Sequence, residues 1–346
     1  MKKARRFISV TSICLFALMI LTGCAFADGK KVSIRISACN SENHPQTIGL
    51  NLMKRYVEEK TKGNVTIKIF PNSQLGSEEE SLQQVQSGAL EMATASIGPL
   101  TTFQKKFYVL DIPFLFNTYN EAWMVLDSKV GVSLLDSLEK SGLKGLCFME
   151  NGFRHVTSSV KPIQSKADFK GLKIRTMQAP MHVENFAKLG ANPTPVPWSE
   201  LYLSMQQKIV DGQENPLANI WDLNMYEVQK YTSLTCHIYD AMPLVTNLKW
   251  FNKLSPEYQK IITVGAILGQ NYSRFVNAER EEAIKEKLAQ KGMKVNELSK
   301  KARDEIKAAG QPAVIAKVKK ELGAKDVDNF MTDINKVKAD ILKGLK

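Results

Sequence analysis

This 346-residue chain is short of the groups that most enzymes use. It has only four histidines, His44, His155, His182 and His237, and no two stand at metal-ligand spacing. It contains no H-E-x-x-H, no G-x-S-x-G, no phosphate-binding glycine loop and no G-x-G-x-x-G fingerprint. A metal, a dinucleotide cofactor and a hydrolytic triad therefore have no motif behind them. Cysteine is scarce too. Cys14 and Cys24 lie near the N-terminus, which leaves Cys39, Cys147 and Cys236, an odd number with no C-x-x-C pair. That argues against a disulfide framework and a zinc site, and each reads as a small buried hydrophobe in or beside an apolar run. Beyond the N-terminus no run is long and apolar enough to span a bilayer, and there are no internal repeats and no low-complexity linker. Acidic residues are fewer than basic ones, 35 against 47, for a net charge of +12. Lys2, Lys3, Arg5 and Arg6 sit in the N-terminal segment, and much of the remaining excess lies between Lys300 and Lys346, interleaved with acids. This is the pattern of a solvated helical face, and without a basic–aromatic motif it gives no case for nucleic acid as a partner.

What is present begins with an export signal. The four early charges precede an uncharged stretch from Phe7 to Ala27, with an apolar heart from Ile13 to Leu21. So short a run, followed by small residues, reads as a cleaved signal peptide rather than a resident helix. Leu21-Thr22-Gly23-Cys24 has the shape of a bacterial lipobox, which makes residues 1–23 the signal and a lipid-modified Cys24 the mature start. Lipid there would anchor the protein to a membrane surface without spanning it. Ala25-Phe26-Ala27 offers an alternative, ordinary cleavage after Ala27.

The rest, about 320 residues of ordinary globular composition, is long enough for two domains. It opens in strand alternation, with Val32, Ile34 and Ile36 against Ser33, Arg35 and Ser37. A polar loop, 40–45, leads to a helix with Leu52, Met53, Tyr56 and Val57 on one stripe, ended by Gly63. A second strand, Val65 to Phe70, precedes a helix from about Ser77 with acids in its first turn. This β-α-β-α order predicts an α/β fold. An amphipathic helix is expected over about 121–140, then strands at 143–149 and 172–175 and a helix over about 181–189. Three prolines at 193, 195 and 197 exclude a helix there. Ser255-Pro256-Glu257 starts a helix that runs to about Lys291, long enough to cross between two lobes.

Ligand binding has better candidates than catalysis. Arg175 closes the strand Gly171-Leu172-Lys173-Ile174-Arg175, where α/β folds open their ligand crevice, and its fork suits a carboxylate. A surface ion pair is the competing reading. Arg154 follows another strand and has a similar claim. Asn215, in Asp211-Gly212-Gln213-Glu214-Asn215-Pro216, sits in what reads as a tight polar turn. Trp198, after the prolines, either stacks on a ligand or fills the core.

Four stretches in this order, 71–76 (PNSQLG), 171–175 (GLKIR), 190–195 (GANPTP) and 210–217 (VDGQENPL), resemble the DctP-type substrate-binding proteins of tripartite ATP-independent periplasmic (TRAP) transporters. The resemblance covers essentially all of the mature chain. It implies a two-lobed periplasmic-binding-protein-like fold, each lobe a mixed sheet flanked by helices, with a long helix spanning both. Residues 31–151 with 241–280 would form lobe I, and 152–240 with 281–346 lobe II. It implies that Arg175 clamps a ligand carboxylate, that Arg154 and Asn215 are further ligand contacts, and that Trp198 lies against the ligand. Glu78 matches an acid that meets hydroxyls in sialic-acid receptors. Ser96 stands where those receptors carry a second acid, and Trp198 where they carry Phe, which points away from sialic acid. Asn43 and His44, with Pro45 and Trp198, look more like the family's sugar-acid receptors, for uronates or aldonates. The implied partners are a small organic acid and the small and large membrane subunits of a TRAP permease, with no cofactor. A C4-dicarboxylate or other organic acid, a role with a chemosensor, and a secreted enzyme are the alternatives.

Overall fold

The structure is a computed structural model and describes residues 31–344. The expected signal peptide and Cys24 lie outside the described residues. Alternation in β1 (Val32–Ser37) buries Ile34 and Ile36 and leaves Ser33 and Arg35 outside. β1 pairs in parallel with β2 (Val65–Phe70) through α1 (Pro45–Lys60), and with β3 (Met92–Thr94) through α2 (Glu78–Ser87). The start of α1 is fixed by Pro45 in its first turn and by His44, whose ring accepts the Gln46 N–H. The start of α2 is fixed by a capping box between Ser77 and Glu80. α3 (Ile97–Leu100) follows β3.

The helix expected over 121–140 is two helices, α4 (Tyr119–Asp127) and α5 (Lys129–Ser137). Ser128 breaks it: its backbone is extended and its side chain caps the Val130 N–H. A Cβ on Gly131 would lie 1.8 Å from the Leu126 carbonyl oxygen, so only glycine allows this elbow. β4 (Leu143–Ser158) does not stop at Met149 but runs on to Ser158, 16 residues in all. β5 (Lys173–Thr176), α6 (Pro180–Leu189) and β6 (Asn192–Pro195) follow. β6 holds two of the three prolines and is a sheet edge, where a missing N–H is tolerated. α7 (Leu201–Gln206) leads to β7 (Gly212–Asn215). The turn expected at 211–216 is thus largely a strand, whose polar side chains are buried because they pair with each other and with β4. α8 (Leu217–Asp222), β8 (Tyr231–Asn247), α9 (Leu248–Asn252), α10 (Pro256–Gln290), β9 (Lys294–Glu297), α11 (Lys300–Leu322) and α12 (Ala324–Gly344) complete the order.

The strands form one mixed sheet in the order β2-β1-β3-β8-β4-β7-β5-β6, with β9 beside β8. Two long strands, β4 and β8, carry it from one lobe to the other. β8 runs antiparallel to both β3 and β4, so β4 runs in the direction of β1 to β3; it runs against β7 and β5. The C-terminal ends of both sets of short strands therefore face each other across a cleft. The β4–β8 ladder slips between Gly145 and Cys147, Glu150 and Gly152, and Arg154 and Val156, and Gly152 has φ +125°. These bulges lie where the chain crosses between the lobes.

The long helix α10 braces the crossing, and its 35 residues match the expectation closely. Gln270 and Ser273 accept the backbone N–H groups of Phe148 and Glu150 beside the bulges. α10 touches α1 backbone to backbone: a Cβ on Gly49 would come within 2.4 Å of the Gly269 oxygen. One apolar cluster joins β1, β2, α1 and the first half of α10; another joins α7, α8 and Ile284 and Leu288 of its second half. In the C-terminal segment α11 lies on α6 and α12 on α4 and α5, and Val314 and Val318 of α11 share one core with Val327 and Ile334 of α12. No helix among the described residues is long and apolar enough to cross a membrane.

Candidate functional site

A small cavity lies where the strand ends converge, lined by Cys39, Asn40, Glu78, Ser96, Arg175, Met177, Trp198, Asn215 and Asn219. Each comes from the segment just after a strand or from the helix that follows, except Arg175, inside β5, Asn215, the last residue of β7, and Trp198, in the turn at Trp198–Glu200. The cleft is shut. Ser41 bonds Asp222 at 2.7 Å and Gln178 bonds Glu79 at 2.8 Å across it, and Gly98 meets Ala179 so closely that a Cβ would clash at 2.7 Å.

Arg175 is the defining group. Its side chain is inside the protein, 1% exposed, and Nε donates to the Val196 carbonyl at 2.8 Å. Nη1 is buried with no partner. Burial first, and the positive Arg154 next, bring its pKa down to about 10, so it stays charged at neutral pH. A buried cation left short of hydrogen bonds is costly unless an anion arrives to meet it. Glu78 presents the complementary sign. Its Oε1 accepts the Ser96 N–H at 2.7 Å, and the Ser96 hydroxyl makes no helix-capping bond. Asn215 donates to Gln213 at 2.5 Å from its Nδ2. Trp198 is half-buried and packs against both apolar clusters, one from each lobe.

Arg154 is not among the lining residues. It is fully buried and held by β7: Nε and Nη2 grip the Glu214 carboxylate at 2.5 and 2.9 Å, Nη2 also reaches the Glu214 carbonyl at 2.6 Å, and Nη1 reaches Asp240 at 2.9 Å. Glu214 in turn contacts His237 at 3.1 Å and His182 at 3.4 Å, the latter an ion contact without hydrogen-bond alignment. Burial opposes the Glu214 charge, but Arg154 and His182 outweigh it and hold this carboxyl well below the usual range. For His182 burial alone would lower the pKa; Asp111, 3.2 Å away, and Glu214 lift it to about 9. Arg154 thus sits in direct ion pairs, while Arg175 has none and feels Glu214 and Glu78 only at longer range.

Asn43 and His44 are not brought to the cavity. Asn43 is exposed, and its carbonyl accepts from Arg280 of α10 at 2.9 Å. His44 is fully buried one layer behind, against Asn40 and Asn219, and burial pushes its imidazole below the ordinary value, toward the neutral form. Asn40, Asn219, Cys39 and Met177 line the cavity without having been singled out in the sequence. Asn40 had a signal, since it opens the loop after β1 at the crevice end of the sheet. Asn219 lies in the first turn of α8, just after the stretch 210–217; Cys39 and Met177 carry none.

A closed cleft between two α/β lobes, with a buried unpaired cation and a polar rim, defines a solute-binding protein. The sequence profile of the bacterial extracellular solute-binding protein family 7, DctP, matches residues 36–321, and the chain belongs to this family of TRAP-transporter receptors. It is 36% identical over 290 residues to the 2,3-diketo-L-gulonate-binding periplasmic protein YiaO of Escherichia coli, covering 83% of this chain and 88% of that one. The sugar acid binding protein of Advenella mimigardefordensis in complex with galactonate superposes with a TM-score of 0.86 at 33% identity, over 89% of this chain and 99% of that one. A TRAP periplasmic solute binding protein of a Polaromonas species bound to D-erythronate gives 0.83 at 33% identity, over 87% and 98%. Proteins of this family capture small organic acids and work with membrane permease subunits.

Proposed function

We propose that this receptor takes a sugar acid, a uronate or an aldonate, into the cleft and delivers it unchanged to the small and large permease subunits. The observation that carries this reading is the Arg175 guanidinium, buried with Nη1 unpartnered at the cavity. It has the fork geometry for one carboxylate. Only one such group is on offer, because the Arg154 donors are spent on Glu214 and Asp240. A second ligand carboxylate would find Glu78 among the lining groups, and like charges at close range in a dry site repel strongly. Hydroxyls suit that rim better: Glu78 accepts, Ser96 does both, and Asn215 and Asn219 supply amides. Trp198 offers an apolar face to a sugar ring or chain. YiaO and the two solved relatives bind sugar-acid-like ligands, which agrees with this choice. In this account lobe I comprises residues 31–151 with 241–280, and lobe II 152–240 with 281–346 except that α12 leans on lobe I. Ligand bridging both lobes shifts an open–closed equilibrium toward the form the permease recognises. A lipid on Cys24 would keep the receptor at the outer face of the cytoplasmic membrane.

A thermal-shift series with D-galacturonate, D-galactonate, D-erythronate, succinate and sialic acid tests the substrate class. Ligand at a hundred times its Kd adds about 2.7 kcal/mol of stability, a rise of about 5 °C or more in Tm. The sugar acids should give it, and each should be recovered chemically unchanged. Stabilisation by succinate alone would refute the sugar-acid reading and leave a C4-dicarboxylate receptor.

A further inference from the structure

His44 carries a role that direct ligand contact does not describe. Its Nδ1 is 3.2 Å from the Gln46 backbone N–H and 3.2 Å from Asn40 Nδ2. A backbone N–H can only donate, so Nδ1 must be the acceptor and the proton must sit on Nε2. Nε2 is 3.2 Å from Asn219 Oδ1, and Asn219 Nδ2 donates to Asn40 Oδ1 at 3.1 Å. Asn40 Nδ2 also reaches Gln46 Oε1 and the Met242 sulfur, each at 3.2 Å. The direction of every bond in this ring follows from that one tautomer. Asn40 and His44 belong to the loop after β1, Asn219 to α8 across the cleft. All three are buried, and both asparagines line the cavity.

We propose that His44 is a positioning residue: its neutral ring ties the two lobes together and turns the Asn219 amide so that an N–H, not a carbonyl, is left for the ligand. The Asn40 N–H groups are consumed behind the wall. The pair then offers the cavity one donor from Asn219, because Asn40 Oδ1 accepts from both Asn219 and the Cys39 thiol. The ligand atom at this corner is an acceptor oxygen. The inference rests on the carboxylate site proposed above, since the tie strengthens closure over the same cavity. Protonation of His44 would put a donor at Nδ1 against two donors and break the ring from its lobe I side. Burial opposes that proton and Arg280 of α10 repels it, while Asp222 of α8 attracts it.

Two near-isosteres separate the roles. His44→Asn keeps an acceptor at the Nδ1 position, so it still caps α1, but its amide stops short of Asn219. His44→Gln can carry an N–H as far as Nε2 reaches, but loses the cap. Calorimetric titration with D-galactonate, D-galacturonate and D-erythronate should find His44→Asn weakened by roughly 5- to 150-fold, because Asn219 Oδ1 stays buried without a donor. Its ligand-free Tm should match wild type. His44→Gln should retain affinity within a few-fold and melt about 2–4 °C lower. Wild-type affinity should also fall as pH drops below the ordinary histidine range, a limb that His44→Asn lacks. Unchanged affinity in His44→Asn, or a loss in His44→Gln as large as in His44→Ala, overturns the proposal. If wild type takes up none of the three acids, the substrate reading fails by itself. The tie is then judged in ligand-free protein by small-angle scattering: a larger radius of gyration in His44→Asn supports it, and an unchanged one overturns it.

Discussion

Replacing Arg175 should damage binding and spare the fold, and the structure gives the size of both effects. Its guanidinium has one internal bond, from Nε to Val196, and a buried Nη1 with nothing to donate to. Truncating one side of a buried charge pair costs about 2–5 kcal/mol in binding, a loss of roughly 30- to 4,000-fold in Kd. Arg175→Lys keeps the charge but cannot hold Val196 and present two parallel N–H groups, so it should lose much of the same energy. The ligand-free protein has the opposite interest. Arg175 is a buried cation beside another, Arg154, and its burial and that repulsion outweigh the attraction of Glu214 and Glu78, so neutralising it relieves a net strain at the cost of one hydrogen bond of about 1 kcal/mol. Ligand-free Arg175→Ala should therefore melt within a few degrees of wild type. Calorimetric titration of both variants, with melting curves of the ligand-free proteins, makes the comparison. Tight binding by both would show that Arg175 is not the anion site. A collapse in ligand-free Tm would show that its role is structural and that the unmatched cation was misread.

Arg154→Ala should behave in the reverse way: it strands Glu214 and Asp240 in the interior and should cost about 3–5 kcal/mol of folding stability, seen in urea unfolding. The His182 imidazole, raised to about 9, contributes stability that is fully present below its unfolded value near 6.5 and is lost as pH rises through about 9. Melting temperature should therefore fall between pH 6.5 and 9.5, and His182→Gln should flatten that slope. Gly269→Ala should destabilise by about 1–3 kcal/mol or more, because its Cβ would lie 2.6 Å from the Gly49 oxygen between two helix backbones. Intact-mass analysis of membrane-extracted protein should give a lipid-modified chain beginning at Cys24; a free start at Asp28 would exclude the anchor while keeping export.

The sequence showed elements where one local rule acts alone. Ser255-Pro256 announced α10, and Ser77 with its acids announced α2, because capping and helix dipoles are local. It failed where tertiary pairing overrode local chemistry. Gly212-Gln213-Glu214-Asn215 looked like a turn because its residues are polar, yet it is a strand whose polar groups find partners in Arg154 and Thr157. The strand expected over 143–149 continues past Met149 through a bulge between Glu150 and Gly152, which interrupts the alternation without ending β4. The site divided along the same line. Arg175, Glu78, Ser96, Trp198 and Asn215 line the cavity. Arg154 and His44 sit one layer back, and Asn43 faces outside. Spacing along a loop cannot tell a residue that faces a cleft from one that supports the wall, since that depends on which neighbours already use its donors. The partner of Arg154 is Glu214, 60 residues away.

If the buried Arg175 guanidinium selects a ligand with a single carboxylate and several hydroxyls, the molecule that the protein carries from the cell will show it. Mass spectrometry of small molecules released by denaturing protein purified from its native host tests it most directly. The expected release is a polyhydroxylated monocarboxylic acid, in about one-to-one ratio with wild-type protein and missing from Arg175→Ala. Release of a dicarboxylate, or of the same acid from both proteins in equal amount, would contradict it.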